Sequence, residues 1–81
     1  MPTPLQDPLQ EFGIALRDLR IGAGISQETL ASQAGVDRTY VSSCERGKRN
    51  VSLLTIVKFA LALQVDPAVL LARRERRTGG G

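Results

Sequence analysis

Histidine and tryptophan are absent from this 81-residue chain, and cysteine occurs once, as Cys44. Without histidine, the common metal-ligand clusters and imidazole-based acid–base catalysis have no starting material. A lone cysteine forms no intramolecular disulfide and no metal set. Aromatic residues make up only 4% of the chain, so leucine, isoleucine, valine and alanine must fill the interior. No apolar run approaches the roughly 20 residues that a membrane-spanning helix requires. The first residues, MPTPLQDPLQ, have neither the cationic start nor the apolar stretch of a secretion signal. These absences point to a cytoplasmic protein that is not an enzyme, with no cofactor, no metal, no small-molecule substrate and no membrane partner.

Charge gives a mild lean toward polyanions, with eleven Lys/Arg against eight Asp/Glu and a net charge of +3. Its distribution says more. Arg46, Lys48 and Arg49 form one cluster, and Arg73, Arg74, Arg76 and Arg77 form a second near the C-terminus. The second run either binds nucleic acid nonspecifically or is a solvated helix end, favourable against the helix dipole.

Capping signals and apolar periodicity divide the chain into five helices, an all-α bundle. Asp7 can cap the first, with Pro8 at its opening position and Gln10 where a capping-box partner reaches back. Leu9, Phe12, Leu16 and Leu19 then recur at helical spacing. Gly13 interrupts that helix at a local cost of about 1 kcal/mol, which close packing against another helix would explain. Ser26 caps the second helix, whose buried side is Leu30, Ala31 and Ala34, and Gly35 breaks it. Asp37 caps the third, which runs to about Arg46 and stops at Gly47. Val41 and Cys44 are its inward pair, with Cys44 read as a small buried hydrophobe. Ser52 caps a fourth helix, LLTIVKFALAL, and Asp66-Pro67 opens a fifth, AVLLARRERR. The domain reading is an extension at 1–7, one domain at 8–73 and a basic, Gly-rich tail at 74–81.

The fourth helix is apolar in nearly every direction, which predicts that it is buried. Together Phe59, Leu63, Val69, Leu70 and Leu71 exceed what one small core must hide, so the C-terminal third is expected to mediate self-association.

Helices two and three meet at the Gly35-Val36-Asp37 turn, and the third carries polar tips on one face and a basic tail behind. A helix fits the DNA major groove, where its first turns touch base edges while flanking cations hold phosphates. The whole spaced set resembles the helix-turn-helix family of phage repressors, Cro proteins and small bacterial regulators. It comprises Gly13, Leu19-Arg20, GISQETLA, Gly35, Cys44-Glu45-Arg46-Gly47 and LALQVDP. Within that family, DRTYVSSCERGKRN is most similar to the controller proteins of restriction–modification systems.

The resemblance implies a lambda-repressor-like fold and a homodimer on near-palindromic double-stranded DNA, with half-sites roughly 34 Å apart. It implies a structural ion pair between Arg20 and Glu45, and a phosphate contact from Gln27. It matches Arg38, Thr39, Ser42 and Ser43 to positions that reach base edges. Arg38 suits a bidentate pair with guanine, or otherwise a phosphate clamp. Thr39 offers a methyl and a hydroxyl, and the short Ser42 and Ser43 need close approach. Tyr40 packs its ring on the scaffold, with a phosphate within reach of its hydroxyl. Arg46, Lys48, Arg49 and Asn50 lie where the DNA backbone should pass. RNA polymerase is a further candidate partner. The rivals are an antitoxin-type regulator, for which no long neutralising arm is seen, and a protein-interaction module on the same fold.

Overall fold

In a computed structural model of the chain, the structure describes residues 7–72. Five helices follow one another: α1 (Pro8–Gly22), α2 (Gln27–Ala34), α3 (Arg38–Glu45), α4 (Leu53–Leu63) and α5 (Pro67–Leu71). The described residues contain no strand. The basic run from Arg73 to Arg77, the tail at 74–81 and all of the N-terminal extension except Asp7 lie outside them.

Each boundary has a local cause. The Asp7 carboxylate accepts from the Leu9 N–H at 2.9 Å, and Pro8 opens α1 with no donor to satisfy. Ser26 accepts from the Thr29 N–H, Ser52 from that of Thr55, and Asp66 from that of Ala68. α2 ends on Gly35 at φ 74°, a left-handed conformation that glycine adopts without a Cβ penalty. The Val36 N–H then returns to the Ala31 carbonyl and closes the helix end. At the end of α4 no glycine is present, and Gln64 takes the left-handed cap at φ 60°.

Two boundaries differ from the sequence expectation. Asp37 holds the N-cap position of α3 in an extended conformation, but its side chain makes no capping hydrogen bond. Its carboxylate accepts from the Thr39 hydroxyl instead. The fifth helix ends at Leu71, with Ala72 extended, and the arginine run expected to carry it on lies outside the described residues. Leu70 is its one buried residue. A helix this short has no intrinsic stability, so it extends only as far as packing holds it.

The core gathers Phe12, Leu16, Leu30, Val41, Cys44, Ile56, Phe59, Leu63 and Leu70, with alanines filling between them. Phe59 is fully buried, with the rings of Phe12 and Tyr40 centred 6.3 and 6.4 Å away. α1 packs on α3, α2 on both α3 and α4, and α5 on both α4 and α1. The helices therefore close around α4 without enclosing it.

That incomplete enclosure corrects the reading of α4. Only Ile56, Phe59, Ala60 and Leu63 of this helix are buried. Leu53, Leu54 and Leu61 are 71%, 63% and 72% exposed. At about 3.6 residues per turn these three share the face opposite the core, with half-buried Val57 between them. Phe59, Leu63 and Leu70, expected at a dimer interface, instead lie inside the single chain at 0%, 9% and 1% exposure. Val69 and Leu71 remain exposed.

Candidate nucleic-acid interface

α3 is held from behind by burial and from one end by charge. Val41 and Cys44 face the core, and Gly13 of α1 lets the end of α3 approach backbone to backbone. A β-carbon at Gly13 would stand 2.4 Å from the Cys44 carbonyl oxygen and 2.7 Å from that of Glu45. Gly47, in the turn beyond, lies similarly close to the Gln10 backbone.

The expected ion pair is present and carries more than two residues. Arg20 Nε donates to Glu45 Oε2 at 2.6 Å and Nη2 to Oε1 at 3.1 Å, a two-point pairing of guanidinium and carboxylate. Arg20 Nη1 also donates to the Ile25 carbonyl, and Gln27 Nε2 donates to Glu45 Oε1 at 3.0 Å. The Glu45 carboxylate thereby ties α1, the start of α2 and the end of α3, and Arg20 adds the α1–α2 turn. The hydrogen bond to Glu45 raises the Arg20 pKa further, against the opposing effect of burial. Gln27 as a member of this node was not foreseen; no short-range signal links residues 27 and 45.

With its rear anchored, α3 presents Arg38 and Thr39 exposed on its first turn, and Ser42 and Ser43 half-buried one turn later. Thr39 donates its hydroxyl hydrogen to Asp37 Oδ2 at 2.5 Å. Ser42 Oγ accepts from Arg46 Nη1 at 2.7 Å. Lys48, Arg49 and Asn50 follow, all exposed. The Arg49 guanidinium lies 4.7 Å from the Tyr40 ring centroid, a cation–π contact that holds it over the helix. Tyr40 in turn stacks on Phe59. Because Glu45 is engaged with Arg20, the local charge of this surface is that of Arg38, Arg46, Lys48 and Arg49, opposed by Asp37.

Cys44 behind the helix is buried. Burial pushes its thiol up to about 11, opposed by Arg49 and a hydrogen bond from Tyr40, with Glu45 adding to the rise. It stays neutral and packs as a small apolar group. Among the described residues no group of three or more His, Cys, Asp or Glu could hold a metal ion, and no helix is long and apolar enough to cross a membrane.

The structure thus brings Arg38, Thr39, Ser42, Ser43, Arg46, Lys48, Arg49 and Asn50 to one helix and the turn after it, with Tyr40 as a half-buried support. Gln27 stands at the neighbouring start of α2. The exposed leucines of α4 are the surface residues that the sequence reading missed. Their shared helical face was the available signal.

The family described as Helix-turn-helix matches residues 16–70. A hypothetical transcription factor of Neisseria meningitidis is 47% identical over 72 residues, covering 89% of this chain and 68% of that one. The control protein C.BamHI of Bacillus amyloliquefaciens is 48% identical over 61 residues, 74% of this chain and 75% of its own. The crystal structure of the restriction–modification controller protein C.AhdI from Aeromonas hydrophila superposes with a TM-score of 0.76 at 55% identity. It covers 76% of this chain and 94% of that one.

Proposed function

The chain belongs to the helix-turn-helix family, and on that premise we propose that it works as a homodimeric, sequence-specific regulator on a near-palindromic operator. It is a DNA-binding transcription regulator, similar to restriction–modification controller proteins. The finer assignment is an autoregulating controller acting in the cytoplasm. The observation that carries this reading is the division of α3. Val41 and Cys44 anchor one side, while Arg38 and Thr39 stand exposed on the first turn with a cationic turn behind them.

The unit that binds and dimerises spans residues 8–73. Arg38 takes guanine O6 and N7 as a bidentate pair, and Thr39, Ser42 and Ser43 meet neighbouring base edges. Gln27, Tyr40, Arg46, Lys48, Arg49 and Asn50 hold phosphates, which sets the register of the helix in the groove. The Arg20–Glu45 pair does not meet DNA; it fixes the end of α3 against α1, and Gln27 joins α2 to the same carboxylate. Dimerisation uses the outer face of α4, Leu53, Leu54 and Leu61, together with Val69 and Leu71 of α5. A monomer would leave these apolar side chains in water. Occupying or bending promoter DNA then blocks RNA polymerase or recruits it, and protein concentration sets the response through dimerisation.

Binding selection from randomised duplex DNA, followed by a salt titration on the winning site, tests this function. The expected result is a palindromic consensus containing guanines whose selection is lost in Arg38→Ala, with a steep salt dependence. Equal, weak binding to every duplex would remove the sequence-reading function.

A further inference from the structure

Asp37 is an anion at the tip of an otherwise cationic surface, and the usual reason for an aspartate at that place is missing. An N-cap carboxylate normally accepts from a backbone N–H in the first turn of its helix. Asp7 and Asp66 do so in this chain; Asp37 does not. Its Oδ2 instead takes the hydroxyl of Thr39 at 2.5 Å, the short separation of a hydrogen bond to a charged acceptor. Both residues belong to the start of α3, with Thr39 exposed there.

This contact fixes the direction of one proton. An ionised carboxylate has no hydrogen to give, so the hydrogen between these two oxygens is threonine's. The chain holds a contrasting pair: between Ser52 and Thr55 either hydroxyl could be the donor. For Thr39 the choice is gone. Outward it can offer only the lone pairs of Oγ1 and its methyl group.

A side chain with an acceptor and a methyl, and no donor, discriminates among base pairs. In the major groove, guanine shows O6 and N7 and thymine shows O4, all acceptors, which an acceptor repels. Adenine N6 and cytosine N4 carry hydrogens it can take, and the thymine C5-methyl is an apolar partner. Only the A·T pair supplies both an amino group and a methyl. We infer that Asp37 is a positioning residue that locks Thr39 as an acceptor-and-methyl reader and thereby selects an A·T pair beneath the first turn of α3. This rests on the DNA-reading function proposed above, and it identifies one base pair of each half-site by its chemistry.

Binding selections with the full chain as wild type, Asp37→Ala, Thr39→Val and the double variant test it, each followed by affinities for sites carrying all four base pairs at the Thr39 position. Wild type is expected to prefer A·T there by about tenfold. Asp37→Ala frees the hydroxyl to donate, so the preference collapses at that position alone, while the Arg38 guanines stay selected. Thr39→Val loses the share due to the hydroxyl, and adding Asp37→Ala to it changes nothing further at that base pair. Thermal melting shows whether Asp37→Ala is folded, and Thr39→Val reads the same base pair independently. Unchanged base preference in Asp37→Ala or in Thr39→Val overturns the inference. So does an Asp37→Ala effect that persists in the Thr39→Val background, since Asp37 would then touch the base itself. A wild type with no consensus at all would instead sink the DNA-reading function, an outcome distinct from a firm consensus that these variants leave intact.

Discussion

Gly13 and Cys44 meet backbone to backbone: a β-carbon on Gly13 would stand 2.4 Å from the Cys44 carbonyl oxygen, too close for any side chain. α1 and the end of α3 touch there with no side chain between them. α3 is therefore positioned by the absence of a side chain on its neighbour.

Gly13→Ala should for this reason be destabilising, although alanine is the better helix former by about 1 kcal/mol. The obstacle is backbone, which cannot rotate away, so a net loss of about 2–3 kcal/mol is expected in urea denaturation. A neutral or stabilising result would mean that α3 can slide from α1 freely.

Removing Glu45 leaves Arg20 with its charge in a largely buried position, since the two side chains are 13% and 4% exposed. Glu45→Ala is expected to lose about 3 kcal/mol of stability. Glu45→Gln keeps a hydrogen-bond acceptor for Arg20 or Gln27 and should lose less. Equilibrium unfolding of the two variants side by side checks the order.

Base reading and phosphate holding separate by their salt dependence. Arg38→Ala should relax selection at one guanine, a loss of about 1–3 kcal/mol against the cognate site. Lys48→Ala and Arg49→Ala should weaken binding to all duplexes alike. Each should also lower the slope of log affinity against log salt by about 0.9 for every phosphate it no longer neutralises. Titrations on cognate and scrambled duplexes distinguish the two kinds of residue.

Leu54→Lys with Leu61→Lys should convert the proposed dimer into a folded monomer, because both side chains are exposed in the single chain. Phe59→Ala, by contrast, empties the centre of the core and should cost about 3–5 kcal/mol. Sedimentation equilibrium and melting curves give the mass and the stability. A double lysine variant that sediments with the same mass as wild type would remove α4 from the proposed interface.

Cys44 gives a pH dependence whose sign is determined. Its pKa rises from an ordinary 9.0 to about 11 on folding, chiefly through burial. The unfolded chain then releases this proton at lower pH than the folded one. The stabilisation is full below about pH 9 and is lost as pH rises toward about 11. Melting wild type and Cys44→Ala across that window isolates the contribution, with wild type expected to lose more. Native protein at neutral pH should also resist alkylation at Cys44 and react once unfolded.

The helix order and most boundaries were legible because their causes are local. A cap acts within two or three residues, as Asp7, Ser26, Ser52 and Asp66 show, and Gly35 ends a helix by its own conformation. The polar face of α3 was legible because Val41 and Cys44, three apart, declare its inward side. Asp37 was legible as an N-cap position and misleading as a capping side chain, since Thr39 competes for the same carboxylate.

The five helices, the polar and basic surface of α3 and the family to which the chain belongs follow from the sequence alone, because periodicity, capping and spacing are written in neighbouring residues. Packing of the helices settled which apolar residues of α4 and α5 lie inside. Phe59, Leu63 and Leu70 took the core and left Leu53, Leu54 and Leu61 to the surface. Packing also explains why residue 13 must be glycine and how Gln27 joins Arg20 and Glu45. Each of these depends on a partner far along the chain, and burial is shared out among helices only when they come together.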